Sequence, residues 1–532
     1  MKSLVVLVAA LATGLTGGGF AAAAPAPQAP LPSAAQSAAK DLPELPAASA
    51  NVEVVNRIPD TKGAISINYT TYRQGWRSKE VMFVSGEFGL KSYDVTDPDK
   101  PVFLDHLENA TLALPGDDPT KRFWENEDID VDHRRKLVFM ARERSAFGRP
   151  ATGPRPTGVY VVSAENPADL KVLSFAEMGT GHTTTCVNDC QYLWTAGYDG
   201  TPATDPDLYK RSGKIFVTDI RDPRNPKTSE TYVDLNRNQG KTHMTHDVQV
   251  DAAGIAWVAG TGGTRGYWTN GWHFDPLAKR FREATAGNPI PYAGGGVPTK
   301  DMPVAFSHNS IRPVGARLAD GPKPTREHPA GSLLLHTEEA FGSPTCADQG
   351  RFVISSLKGS GSGESWKATD NKPFYLETVA VWSPHDQEGT ITDAGCSAHY
   401  FDIDDRVVAY SFYGQGTRFI DISDPKRPFQ IAYYRPEAAV SFSPYWYKGR
   451  AYIADISRGV EIVKLGKGAD EARAAGAEVV LKTSKPVDKS ILTTPNRSNP
   501  MPIAPDPDYG WACPMVLRRG GQGCTEGAES CC

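Results

Sequence analysis

Four histidines stand at the head of alternating, strand-like runs: His182 in "HTTTCVNDCQYLWTAG", His246 in "HDVQVDAAGIAWVAG", His308 in "HNSIRPV" and His399 in "HYFDIDDRVVAYSFY". Glu127 leads a fifth such run, "EDIDVDHRRKLVFMA", at the same register. Neutral imidazoles held on rigid strands suit copper, iron or zinc, and a carboxylate beside them serves as a further ligand or orients a ring through its second nitrogen. The five residues form one centre only if the fold brings five distant segments to one point. The competing reading is structural: a duplicated unit copies its residues, and each histidine bonds the backbone of the neighbouring unit.

His182 has nearer candidates for company, Cys186 and Cys190. On a strand, His182 and Cys186 are separated by roughly 13 Å, too far to share an ion. The cysteines therefore belong to the turn, where a disulfide is the expected pairing and a Cys-x3-Cys metal pair the alternative. His243, three residues before His246, reads as part of a connection rather than as a ligand. The acidic stretch "DIDVD" (128 to 132) lacks the glycine and the closing glutamate of a calcium loop and reads as solvent-facing strand carboxylates.

The elements that must position these residues are short and repeated. From residue 51 to 466 the chain consists of runs rich in Val, Ile, Phe, Tyr and Trp, separated by Gly, Pro, Asp and Asn, as in many-stranded antiparallel folds. "GLKSYDVTDPDKP" (89 to 101), "GVYVVSAENPADL" (158 to 170), "GKIFVTDIRDPRNP" (213 to 226) and "GTRFIDISDPKRP" (416 to 428) share one plan. In each, a glycine leads an alternating strand, an Asp or Ser bonds the turn backbone, and proline ends the ladder. A two-strand hairpin lies upstream of each such strand, and the His-led and Glu-led runs are among these hairpins. The units are therefore four-stranded, and seven can be counted. The expected fold is all-β: a single seven-bladed β-propeller, with "NVEVVNRI" (51 to 58) supplying the outer strand of the last blade. First strands line the axial tunnel of a propeller, so the four histidines and Glu127 are expected at one tunnel mouth.

The Gly-led strands and their Asp-Pro turns, above all "YGQGTRFIDISDPKRPFQIAYYRP", resemble the LVIVD-repeat β-propellers, a family of exported bacterial and archaeal proteins. The resemblance covers residues 51 to 466. It implies the propeller fold and an exported protein, and it is silent on activity. The third, fourth and fifth blades depart from the simple repeat by long insertions. In geometry alone, axial histidines are also similar to the four-histidine iron site of carotenoid oxygenases and the histidine site of selenium-binding-type methanethiol oxidases. Neither family's motifs are present beyond these positions.

Loops joining second to third strands open beside the same tunnel mouth, and the long insertions are read as falling mostly there. They are expected to bring Arg142, Tyr198, Asp199, Arg265, Trp268, His336, Glu338, Glu339 and Tyr413 into a polar and aromatic substrate pocket above the histidines.

Residues 1–24 read as a secretory signal peptide, 25–50 as an Ala/Pro-rich linker and 467–532 as an irregular tail holding four of the eight cysteines. No later run is long and apolar enough for a transmembrane segment. A formal charge of −5 without a basic stripe excludes nucleic acid as an expected partner. No nucleophile elbow, phosphate-binding loop or H-E-x-x-H motif occurs. Two function classes remain. The first is an extracellular or envelope binding protein that grips a small molecule, protein or glycan at the tunnel mouth. The second is a secreted enzyme, an oxidoreductase dependent on a transition metal (Cu, Fe or Zn).

Overall fold

Alternation of apolar and polar residues produces strands whose two faces are both covered. The computed structural model describes residues 47–124, 126–148, 155–197, 214–232, 245–260, 263–275, 278–293, 307–318, 331–339, 350–358, 375–384, 397–466 and 471–472. Among them, seven four-stranded antiparallel sheets form the blades of a β-propeller. Their first strands are Ala64–Gln74, Ile129–Asp132, Thr183–Val187, Thr245–Val250, Ser307–Ile311, Phe401–Asp404 and Ser441–Tyr447. First strands of neighbouring blades pack together and line the axis.

Each sheet is buried on both faces, and one apolar cluster fills each interface between blades. Val138 and Met140 of the second blade pack against Val81 and Phe83 of the first, while their sequence neighbours Leu137 and Phe139 face the third blade. The period-two pattern thus feeds two different interfaces from one strand. The ring is closed by Val52–Ile58, which pairs antiparallel with Gly459–Leu465 as the fourth strand of the seventh blade. Ala47 to Asn51, read from sequence as the end of a free arm and its junction, are already packed. Arg435 N donates to Ala47 O at 2.6 Å and Ser49 N to Tyr433 O at 3.0 Å, on the outer strand of the sixth blade.

The Asp turns work as their chemistry requires. Asp94, Asp219, Asp421 and Asp455 each accept the backbone N–H two residues on, at 2.7 to 3.1 Å. Asp130 corrects the reading of solvent-facing carboxylates, since its Oδ2 accepts Cys186 N of the next blade at 2.6 Å. Asp402 does the same with Trp446 N at 2.7 Å. A carboxylate at this register staples adjacent first strands.

A second correction concerns the fourth blade. Its third strand, Gly263–Trp268, follows the second, Ile255–Gly260, after two residues, with Gly260 opposite Gly263. The insertion comes later, as a two-stranded hairpin of Trp272–Asp275 and Arg280–Glu283 before the fourth strand, Ile290–Ala293. What was read as a loop over the mouth is a strand running away from it. No helix among the described residues is long and apolar enough to cross a membrane.

Candidate metal centre

Four successive blades, the third to the sixth, deliver His182, His246, His308 and His399 to the same end of the axis. Neighbouring rings are in contact, with centroids 4.4, 4.2 and 3.9 Å apart in that order. Glu127, which enters just ahead of the first strand of the second blade, lies among them. Its Oε2 is 3.0 Å from His182 Nε2, 3.3 Å from His246 Nε2 and 3.4 Å from His308 Nε2, and its Oε1 is 3.5 Å from His399 Nε2. All five residues are at most 2% exposed. Ligands sharing one ion at about 2.0 to 2.2 Å lie roughly 3 to 3.5 Å apart, and Glu127 keeps that spacing to each imidazole. The residues gather as overlapping trios, Glu127 with His182 and His246, Glu127 with His308 and His399, and Glu339 with His246 and His308; within each trio the ligand atoms lie within 4.8 Å of one another.

The outer nitrogens explain how the rings are aimed. His246 Nδ1 is 2.9 Å from His308 O, and His399 Nδ1 is 2.8 Å from Phe442 O, each a carbonyl of the following blade. A carbonyl can only accept, so both Nδ1 atoms carry the hydrogen and both Nε2 atoms turn a lone pair to the axis. The backbone bond expected of a purely structural histidine is thus present, and it is also the bond that orients a ligand. His182 Nδ1 instead meets Glu143 Oε1 at 2.6 Å. His308 differs from the rest, since its Nε2 faces Glu127 Oε2 at 3.4 Å while its buried Nδ1 makes no hydrogen bond among the described residues.

Electrostatics set two of the groups against each other. Burial would raise the Glu127 carboxyl, but the imidazoles of His182 and His399 outweigh it and hold it well below the usual carboxylate range. Burial would strip the proton from His182, but Glu127 and Glu143 outweigh that and hold it well above the ordinary imidazole value. Burial, reinforced by His308 and His182, pushes His246 well down. Burial and His399 push His308 down to about 3. His182 Nε2 and His246 Nε2 are 2.7 Å apart, so a proton or a cation must lie between them.

Of the nine residues expected in a pocket above the histidines, two join the centre. Glu339 Oε2 is 3.9 Å from His308 Nε2, and its Oε1 accepts from the Tyr413 hydroxyl at 2.7 Å. The Tyr413 ring also packs on His399, 4.9 Å between centroids. Four others have structural work. Arg142 is buried in a two-pronged pair with Asp117, at 2.7 and 2.8 Å. Glu338 holds Arg351 in the same way, at 2.6 and 2.9 Å. His336 bonds Ser355 Oγ at 2.9 Å within its own sheet, and burial pushes its imidazole down to about 3. Arg265 is buried and donates to Thr264 O. Trp268 stands at the far end of its strand, five residues and roughly 17 Å from the Gly263 end, stacked on His273. Tyr198 and Asp199, like His243, lie outside the described residues.

Glu143 was missed by the sequence reading. It directly follows the second strand Leu137–Arg142, as Glu339 follows Leu333–Glu338, and both precede an "AFG" tripeptide. Comparing the two blades at the ends of their second strands reveals it, the spacing to the tripeptide differing by two residues. Tyr400, whose ring packs on both His308 and His399, was also missed. On the loop side, Ile65, Trp124, Tyr413, Val440, Phe442 and Ile456 form a buried apolar plug beside the centre. The Cys186–Cys190 disulfide is formed, four residues along the strand from His182.

No family model matches the chain, and no curated protein sequence matches it. Among solved structures, the β-propeller domain of Myceliophteria thermophila Cps50 (Swd1) is similar at 9% identity and TM-score 0.45, covering 78% of this chain and 99% of that one. The RRP9 WD40 repeats align at 9% identity and TM-score 0.42, covering 78% and 98%. The periplasmic gluconolactonase PpgL of Pseudomonas aeruginosa aligns at 12% identity and TM-score 0.39, covering 75% and 96%. None of these likenesses bears on what the centre does.

Proposed function

We propose that this chain is an exported metalloprotein of the LVIVD-propeller kind, an enzyme whose one copper, iron or zinc ion is held by His182, His246, His308 and His399 with Glu127. The observation that carries the reading is the convergence of four Nε2 atoms from four blades on one carboxylate, with two rings latched from behind by the next blade's carbonyl. His308 supports it, because the only ion-pair contact its Nε2 makes within 3.5 Å among the described residues is the long one to Glu127, at 3.4 Å, and that same carboxylate is shared by the other three imidazoles. The donor set, nitrogen-rich with one or two carboxylates, suits these metals and not calcium or magnesium.

Copper or iron held there would supply one-electron chemistry, the chemistry of an oxidoreductase; zinc would supply Lewis acidity. The chain's own residues do the rest. Glu143 holds the His182 proton at Nδ1, so the Nε2 proton facing Glu127 is the one an ion would displace. Glu339, with Tyr413 on its second oxygen, is placed to hold or release a proton at the edge of the centre.

A second reading is favoured by the charge on His182. An imidazolium held by Glu127 and Glu143 can bridge to His246 without any ion, which makes the protein a binding propeller with a structural proton. Elemental analysis of the protein purified without an affinity tag separates the two. Near-stoichiometric copper, iron or zinc that is lost in His246→Ala supports the metalloenzyme; a protein free of transition metal under loading conditions rejects it.

A further inference from the structure

Beyond the histidine layer the tunnel widens into a chamber of about 230 Å3, lined by residues one to three positions further along the first strands, among them Asp128, Thr185, Gln249, Asn309, Tyr400 and Tyr445. Solvent reaches it from the end opposite the second-to-third-strand loops. Gln249 is half-buried where His246 is 2% exposed, and Asp128 is half-buried where Glu127 is 0% exposed. Ile311 and Asp402 line both the chamber and a wider recess of about 1170 Å3 on that face.

The lining has a distinct chemistry. It contains three aspartates and no Lys or Arg. Asp130 and Asp402 are engaged by N–H groups of the next blade. Asp128 has no basic partner among the described residues: the Ser66 hydroxyl lies 3.4 Å away, and burial, with Asp247 and Asp130 nearby, holds its carboxyl well above the usual range. Tyr400 is 5% exposed, its hydroxyl makes no hydrogen bond among the described residues, and Asp247, Asp128 and Tyr445 are its polar neighbours. A carboxyl lacking a basic partner, a hydroxyl lacking a hydrogen-bond partner among the described residues and a set of aromatic faces are the parts of an ammonium site.

We infer that the chamber binds a small organic ammonium ion, with Asp128 opposite its charge and Tyr400 accepting or donating at its polar end, admitted from the face opposite the loops. The volume corresponds to roughly seven waters, and so to a cation of about six to eight heavy atoms. The cation site stands without the metal; only the idea that the ammonium compound is the substrate rests on the proposed function.

Calorimetric titration with ethanolammonium, against neutral ethylene glycol as the matched control, tests it. The titration is run on metal-loaded and chelator-treated protein, with metal content measured in parallel so that failure of loading is not mistaken for failure of binding. Ethanolammonium is expected to bind at least tenfold more tightly than ethylene glycol in both preparations. Asp128→Asn is expected to abolish that preference, and Tyr400→Phe, which keeps the ring, to weaken ethanolammonium about threefold. Equal binding of the two probes, no binding of either, or an unchanged preference in folded Asp128→Asn overturns the assignment. Should Asp128→Asn fail to fold, an unchanged affinity in Tyr400→Phe overturns it.

Discussion

Glu127 Oε2 lies 3.0 Å from His182 Nε2, and each group holds the other in its charged form inside a site that water scarcely reaches. That pairing makes the proton on His182 the competitor of any metal ion, because the same nitrogen cannot serve both. In the range where His182 stays protonated, metal binding is expected to release about one proton, and affinity to fall about tenfold for each unit the pH is lowered. A pH-stat titration of chelator-treated protein with copper or zinc measures this directly; uptake with no proton release at pH 7 counts against the arrangement.

Neutralising the carboxylate has a defined cost. Glu127→Gln removes a ligand oxygen and the counter-charge of His182 together. Metal affinity, read by competition with a chromophoric chelator, is expected to drop by at least 100-fold. Glu143→Gln, which only orients His182, is expected to cost about 10- to 100-fold.

Buried imidazoles and buried carboxyls pull stability in opposite directions as the pH falls. His308 and His336 are both held down to about 3, whereas the unfolded chain takes up their protons near 6.5. For these two groups the unfolded state binds more protons between those values, so the stability they contribute above pH 6.5 is lost as the pH falls toward 3. Asp247 and Asp455, raised by burial to about 7, and Asp402, raised to about 6, add stability over the same fall. The slope is about 1.4 kcal/mol per pH unit for each group. His182 adds nothing below 6.5, being protonated in both states. Urea unfolding at pH 7 and pH 5 gives the slope, and His336→Gln is expected to lower it by about one proton.

Arg142 offers a contrast of role. Its pair with Asp117 has both side chains fully buried, so Arg142→Met strands a carboxylate and is expected to destabilise the fold by about 3 to 5 kcal/mol. Metal content per folded molecule should not change. A variant of normal stability with altered metal binding would return Arg142 to the functional site.

The Cys186–Cys190 disulfide closes a five-residue loop, for which chain entropy gives about 2 kcal/mol. Replacing both cysteines by serine is expected to lower stability by no more than that and to leave metal stoichiometry intact. Loss of the metal in this variant would revive the cysteines as ligands.

Blade phase was readable because duplication leaves a shared register: once the Gly-led strands were aligned, His182, His246, His308 and His399 fell at one position, and the sheets follow that alignment. Side-chain partnership was not readable. Nothing in composition or spacing distinguishes Arg142, paired at depth with Asp117, from an arginine at the mouth, since the partner lies 25 residues away in a connection without a repeat. Trp268 was misplaced because Gly260 and Gly263 permit a two-residue reversal, turning an expected loop into a strand. Glu143 was legible in principle, through Glu339 at the same place after a second strand, but only once the strand ends are known, because the tripeptide downstream is two residues farther off in one blade than in the other.

The strand that completes the seventh blade is the earliest of the ring to be synthesised. Val52–Ile58 must wait for Gly459–Leu465, some four hundred residues later, before it finds its ladder. Until then the growing chain has two open edges and no fixed circumference, so the arc that sets the spacing of the four imidazoles is free to spread. A chain threaded across a membrane from its first residue would close only on the far side. The topology thus sets an order: an ion shared by the four imidazoles would be taken up only once Val52–Ile58 has closed the ring.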